Sequence, residues 1–228
     1  MYGGESKGEK FPPLQFGAYK DEAGVLQGVL DGGPNVFCMY PEYLTDPMIA
    51  FCPSDSEMGQ AVDYAHSETT GEWCFAYAAN HGGKCARAID ASYGYWGWLL
   101  DRCNYNDPKR PLSNFMILGI ISQFLSTEEM PQDTSIPVPD QLGFGLEKLI
   151  LDPIISVLIT DPVPPQQAGM AAVADNDITD LEIPNGNAGG TTIYRLREGI
   201  ERFLITNIND PGASAAAQST VIVMYDQL

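Results

Sequence analysis

Apolar residues in this chain come in short runs, and that limits its folds more than any other feature. The two most apolar stretches, 115–121 and 154–159, fall far below the ~18–20 residues needed to span a bilayer. Turn formers stand between the runs: Pro12-Pro13, Gly32-Gly33-Pro34 and Cys52-Pro53-Ser54-Asp55. Proline fixes φ and lacks a backbone donor, while glycine permits φ > 0, so such punctuation cuts a chain into short elements. With 228 residues, 44% of them hydrophobic and 10% aromatic, a sizeable core is still affordable. Disorder and fibrous repeats are excluded by the same figures, and no internal repeat is visible.

Several segments carry a local signal. The run Ser92-Tyr93-Gly94-Tyr95-Trp96-Gly97-Trp98-Leu99-Leu100 is aromatic and reads as a buried strand. Phe115, Leu118, Ile121 and Leu125 recur at three- and four-residue spacing, which predicts a helix over 113–124 capped by Ser113 or Asn114. A second short helix is predicted over 145–151, stopped by Asp152-Pro153. Residues 63–91 read as a turn-rich surface excursion. Residues 162–190 read as a long loop. Residues 191–206 are ambiguous: Thr191-Thr192-Ile193-Tyr194 favours a strand start, whereas Ile193, Leu196, Ile200 and Phe203-Leu204 fit a helical stripe. Residues 219–225 predict a strand. The fold class expected is α+β with antiparallel pairing, in one domain.

Charge narrows the partners. Twelve basic residues against thirty acidic ones give a net charge of −18 and a pI near 4.2. Such a field repels phosphate backbones and anionic head groups, so nucleic-acid and peripheral membrane binding are excluded as expectations. The few cations are unevenly placed. None lies between Lys20 and Lys84, where ten Asp/Glu occur, and Lys148 stands alone between Arg110 and Arg195. Arg195, Arg197 and Arg202 form a positive island that suits docking on a second copy of the chain, or else a plain solvated face.

Catalytic signals are weak. The two histidines, His66 and His81, lie in the turn-rich excursion; the GxSxG, HExxH, GxGxxG and GxxxxGK[ST] patterns are absent, and no pair of carboxylates stands out. A zinc site from Cys74, His81 and Cys85 lacks a fourth ligand at normal spacing. The expectation is a protein that is not an enzyme. Five cysteines without a CxxC pair, in an acidic chain, point to export and disulfides. Cys52 with Cys74 or Cys85 flanks the excursion, Cys38 and Cys103 lie further out, and the connectivity stays open. The first ten residues lack the apolar core of a signal peptide, so export implies a segment upstream.

The strongest chemical candidate is the loop Asp175-Asn176-Asp177-Ile178-Thr179-Asp180-Leu181-Glu182, followed by Pro184-Asn185-Gly186-Asn187. Calcium takes six to eight hard oxygens, often from one flexible loop. Asp175, Asp177, Asp180, Glu182, Asn185 and Asn187 are therefore candidate Ca2+ ligands, with a solvated acidic loop as the other reading. An EF-hand is excluded, because its glycine position holds Asp180 and its last ligand position holds Gly186. The cluster Tyr93, Tyr95, Trp96 and Trp98 offers rings for sugar stacking, although a buried strand explains it more simply.

Three segments together resemble one family. They are Cys52-Pro53-Ser54-Asp55 closing Pro41-Glu42-Tyr43-Leu44-Thr45-Asp46-Pro47; Ser92-Tyr93-Gly94-Tyr95-Trp96-Gly97-Trp98; and Gly189-Gly190-Thr191-Thr192-Ile193-Tyr194-Arg195-Leu196-Arg197-Glu198-Gly199-Ile200-Glu201-Arg202-Phe203-Leu204-Ile205-Thr206, running on through Asn209-Asp210-Pro211 and Gln218-Ser219 to Val223-Met224-Tyr225-Asp226. These are similar to the soluble part of bacterial prepilin-like proteins, relatives of type IV pilins and type II secretion pseudopilins. The resemblance implies a pilin-like fold, an amino-terminal helix on an antiparallel sheet, with 1–12 as the end of a hydrophobic helix that lies mostly upstream and a connector, 13–228 as a single globular domain with the long loop 162–190, and a His/Asp-Gly strand pair beyond residue 226. It also implies an extracellular or periplasmic filament subunit, anchored in the inner membrane through that helix before assembly, with copies of itself or other pilin-like subunits as partners. Major pseudopilins hold calcium in a carboxyl-terminal loop, which agrees with the 175–187 candidate. The alternative expectation is a secreted, calcium-dependent binding module recognising carbohydrate or a protein.

Overall fold

The computed structural model describes residues 2–20, 26–35, 38–67, 70–73, 92–122, 131–149, 151, 175–204 and 223–226. Its helices are α1 (Tyr2–Glu5), α2 (Met58–Tyr64), α3 (Ile117–Ile121) and α4 (Asp140–Leu149). Its strands are β1 (Leu14–Lys20), β2 (Leu26–Pro34), β3 (Tyr93–Gly94), β4 (Lys109–Pro111), β5 (Pro137–Pro139) and β6 (Tyr225–Asp226). They pair antiparallel as β1–β2, β3–β6 and β4–β5. Mixed helices and small antiparallel sheets are thus the architecture, in agreement with the α+β class. No described helix is long and apolar enough to cross a membrane.

The chain divides into two compact units. Residues 1–97, 161–175 and 223–228 form the first; residues 98–160 and 176–222 form the second. Neither is contiguous in sequence, so composition gives no sign of the boundary.

In the first unit, the hairpin β1–β2 runs in register from Gln15↔Asp31 to Lys20↔Leu26. Leu14 instead faces Pro34, so the pairing skips Gly32 and Gly33. Leu14 and Gln15 are buried at this irregularity. The hairpin lies in a stretch that the sequence marks only by its turns. A separate core gathers Leu44, Ala50, Phe51, Ala61 and Ala65, with Met58, Val62 and Trp73 packed around it. Ala61 and Ala65 are four apart and share a helix face, and their small side chains leave room for Phe51. The adjoining 3₁₀ turn Pro47–Ala50 starts on Asp46, whose carboxylate accepts from Met48 N at 3.0 Å, with proline at the first position, where no donor is needed. Trp73 closes the core, stacked on Phe51 and lying 4.0 Å from the His66 ring.

In the second unit, α4 begins at Asp140, five residues before its predicted start. Gly143 and Gly145 disguise it, since glycine lowers helix propensity. Both are buried, and a Cβ on Gly143 would fall 2.1 Å from the Phe115 ring. The glycines let Phe115 and Ile193 approach the helix backbone. Asp140 also forms a two-bond ion pair with Arg110, at 2.9 and 2.6 Å.

The helix expected over 113–124 is shorter and starts later. Leu112–Asn114 is a 3₁₀ turn, Phe115 is extended (φ −102°, ψ 133°), and only Ile117–Ile121 is α-helical. Neither Ser113 nor Asn114 caps it. The Glu147 carboxylate of α4 does, accepting from Met116 N and Ile117 N. A cap supplied thirty residues away has no local sequence signature. Drawing Phe115 onto Gly143 breaks the helical stripe at its first member.

Candidate functional site

Residues 98–102 and 176–197 of the second unit are cross-linked by backbone and side-chain hydrogen bonds. Of the run expected as one strand over 92–100, only Tyr93–Gly94 is a strand; Gly97, with φ +75°, turns the chain before Trp98. Trp98 bridges Arg195, and Leu99 N donates to Tyr194 O at 2.8 Å. On the other side of the same segment, Ile178 and Ile193 exchange backbone bonds at 2.9 and 2.8 Å. Residues 193–195 therefore run between two partners, while Ile200–Leu204 is a 3₁₀ turn. Among the described residues of the ambiguous 191–206 segment neither a named strand nor an α-helix forms: Ile193 and Arg195 make isolated bridges, and the helical stripe tightens into the 3₁₀ turn.

Side chains complete the frame. Asp177 Oδ1 accepts from Arg195 N at 2.7 Å and pairs with Arg197 Nη2. Asn187 is buried, with Nδ2 donating to Leu99 O and Asp101 Oδ1 and Oδ1 accepting from Tyr194 N, each at 2.7 Å. Asp101 also accepts from Gln141 Nε2 and Ala188 N, both at 2.8 Å. Gln141 Oε1 takes Arg102 N at 2.9 Å. A Cβ on Gly186 would meet Thr192 N at 2.3 Å, so this turn requires glycine. Asp101 and Gln141 were not legible as site residues, because each stands alone in its sequence context.

Of the six candidate calcium ligands, Asp177 and Asn187 are engaged by these bonds. Asp175 belongs to the first unit and pairs with Lys10 at 3.2 Å. Asp177 and Asn187 are turned onto the backbone of 194–195. Asp180 has φ +60°, and its Oδ2 accepts from Thr179 Oγ1 at 3.0 Å. Glu182 is exposed, and Asn185 is half-buried with its N–H on Glu182 O at 2.8 Å. Among the described residues, no group of three or more His, Cys, Asp or Glu is placed to hold a metal ion.

The three arginines expected on one outward face are divided. Arg195 is 0% exposed, its guanidinium 5.4 Å from the Trp98 ring centre. Arg197 is half-buried, and Arg202 is exposed. Arg195 therefore works inside the frame, because its N–H is held by Asp177 and its neighbours Ile193 and Leu196 are core. Tyr95 and Trp98 are each 3% exposed, and Trp98 Nε1 donates to Asn176 O at 3.0 Å; neither ring is open to a sugar. Cys52 is buried, while Cys74, Cys85 and His81 lie outside the described residues. Burial, with Asp107 and Asp101 adding to it, pushes the Cys103 thiol up to about 11. No family model, curated protein or solved structure matches this chain.

Proposed function

We propose that this chain is a non-catalytic structural subunit of an extracellular or periplasmic filament, organised like the pilin-related proteins that it resembles. One observation carries the reading: the segment with the longest resemblance is built into the scaffold. Ile193, Arg195, Leu196 and Ile200 are all buried, and the carboxylates and amides around them serve as internal cross-links. A loop whose polar groups hold the backbone in place has the chemistry of a part that must keep its shape in an assembly. Of the four rings that the binding-module reading would use, Tyr95 and Trp98 are buried and Tyr93 and Trp96 are half-buried.

Terminal peptide mapping of the protein from its native source, combined with fractionation of sheared surface filaments, tests the proposal. The expected result is an apolar helix preceding residue 1 and recovery with the filaments. Recovery solely as a secreted species without such a helix overturns it. Calcium binding to the 175–187 loop is a separable component of the proposal. A Tm that does not differ between millimolar calcium and EGTA removes that component alone.

A further inference from the structure

We infer that Arg202 and the Phe203 ring form a docking patch for the acidic, partly apolar surface around α2 of a second copy of this chain. The inference rests on the assembly reading above and names the contact between subunits. On the second unit, Tyr194 stacks on Phe203 at 4.3 Å between ring centres. The guanidinium groups of Arg197 and Arg202 lie 5.6 and 5.4 Å from the Phe203 centre. Arg197 is fixed there by Asp177 and by its Nε–H on Arg195 O at 3.3 Å. Arg202 is exposed and makes no ion pair with any described residue. Two cations thus converge on one aromatic ring, in a chain of net charge −18, and one of them is open to an incoming carboxylate. Arginine beside stacked aromatics is the composition of interface hot spots.

Charge complementarity selects the occupant. No Lys or Arg lies between Lys20 and Lys84, and Asp46, Glu57 and Asp63 are exposed there. The Pro47–Ala50 turn and α2 pack together through Ala50, Phe51, Ala61 and Ala65. Outside that core they expose Met48 (39%), Ile49 (66%) and Tyr64 (41%). Carboxylates and apolar side chains on one surface match an arginine and aromatic rings on the other. Net repulsion between copies is screened beyond about 8 Å at physiological ionic strength, while charge pairs in contact are screened less. Because the two patches differ, the contact is heterologous: each copy offers one patch to the next and keeps the other open, as linear growth requires.

Sedimentation velocity of the 228-residue chain, over a concentration series, tests this with two variants. The wild type is expected to form a ladder of oligomers. Arg202→Gln and Asp63→Asn, each alone, are expected to weaken association at least about tenfold, with unchanged circular dichroism and melting. A one-to-one mixture of the variants retains one intact patch from each partner, so it should recover dimers and stop there. A monomeric wild type, association indifferent to both substitutions, or a mixture that regains nothing would overturn the inference. Any of those outcomes leaves the filament reading to be decided by the native-source mapping.

Discussion

Asn187 donates to Asp101 across 2.7 Å, and the same amide group reaches Leu99 O and Tyr194 N. One buried side chain therefore satisfies the backbone of two segments and one oxygen of the Asp101 carboxylate, which also accepts from Gln141 Nε2 of α4. Residues 98–102, 186–195 and the start of α4 are held as one frame by this pair.

Removing the amide leaves several buried partners unsatisfied. Asn187→Ala is expected to cost about 2–4 kcal/mol in urea unfolding, above a typical single hydrogen bond. Asn187→Asp makes the sharper test. It sets a second carboxyl against Asp101 and replaces a donor with an acceptor. Two carboxylates in contact repel when both are ionised, so the variant should lose stability as the pH rises and both become charged. The deficit relative to wild type should be larger at pH 7 than near pH 4.

Arg110 and Asp140 make a two-bond pair, with the guanidinium 4.4 Å from the Phe144 ring centre. Lysine keeps the charge but loses the planar fork and the stacking. Arg110→Lys should therefore lower stability by about 0.5–1 kcal/mol, discounted for the partial exposure of the arginine. High salt should recover little of the difference, since stacking and geometry are what is lost. Chemical denaturation at two salt concentrations reads both effects.

What the sequence disclosed, and what it hid, follows from where each interaction closes. The burial of Tyr95 and Trp98 was legible, because an aromatic run between glycines has few other uses. The α+β class was legible from short runs of differing period. The start of α4 was not, since Gly143 and Gly145 serve Phe115 and Ile193, partners far away in sequence. The capping of α3 by Glu147 and the turning of Asp177 toward Arg195 N are equally non-local. In the acidic loop, composition marks oxygen donors, but it does not show that Asp177 and Asn187 also accept from the chain's own N–H groups at Arg195 and Tyr194. Arg195 shows the same limit with the opposite charge.

Cys103 should react slowly. Its thiol sits at about 11 against an ordinary 9.0, through burial and then the Asp107 and Asp101 carboxylates. At pH 8 that leaves about a hundredfold less thiolate than an ordinary cysteine. Alkylation at Cys103, followed by peptide mass mapping, should stay low at pH 8 and rise with pH toward 11. Because the folded pKa is raised, the associated stability is complete below pH 9 and is lost as pH climbs from about 9 through 11. Cys103→Ser, whose hydroxyl does not titrate in that range, should flatten this part of the stability profile.

Glycines at three helical positions should respond to alanine in different ways. Helix propensity alone favours Ala by about 1 kcal/mol at each of them. At Gly119 in α3, nothing lies within 4 Å of the new Cβ, so Gly119→Ala should stabilise by about 0.5–1 kcal/mol. At Gly145 the nearest atom is Ile193 Cδ1 at 2.8 Å. That is the end of a flexible side chain, which can shift, so gain and strain should nearly cancel. At Gly143 the new carbon meets three atoms of the Phe115 ring at 2.1, 2.3 and 2.6 Å. A buried aromatic ring cannot give by that much without moving its backbone, and overpacking of this kind costs about 1–3 kcal/mol. Gly143→Ala should therefore be the most destabilising of the three, despite the highest-propensity residue entering the longest described helix. Equal effects at Gly143 and Gly119 in thermal unfolding would show that Phe115 does not rest on α4.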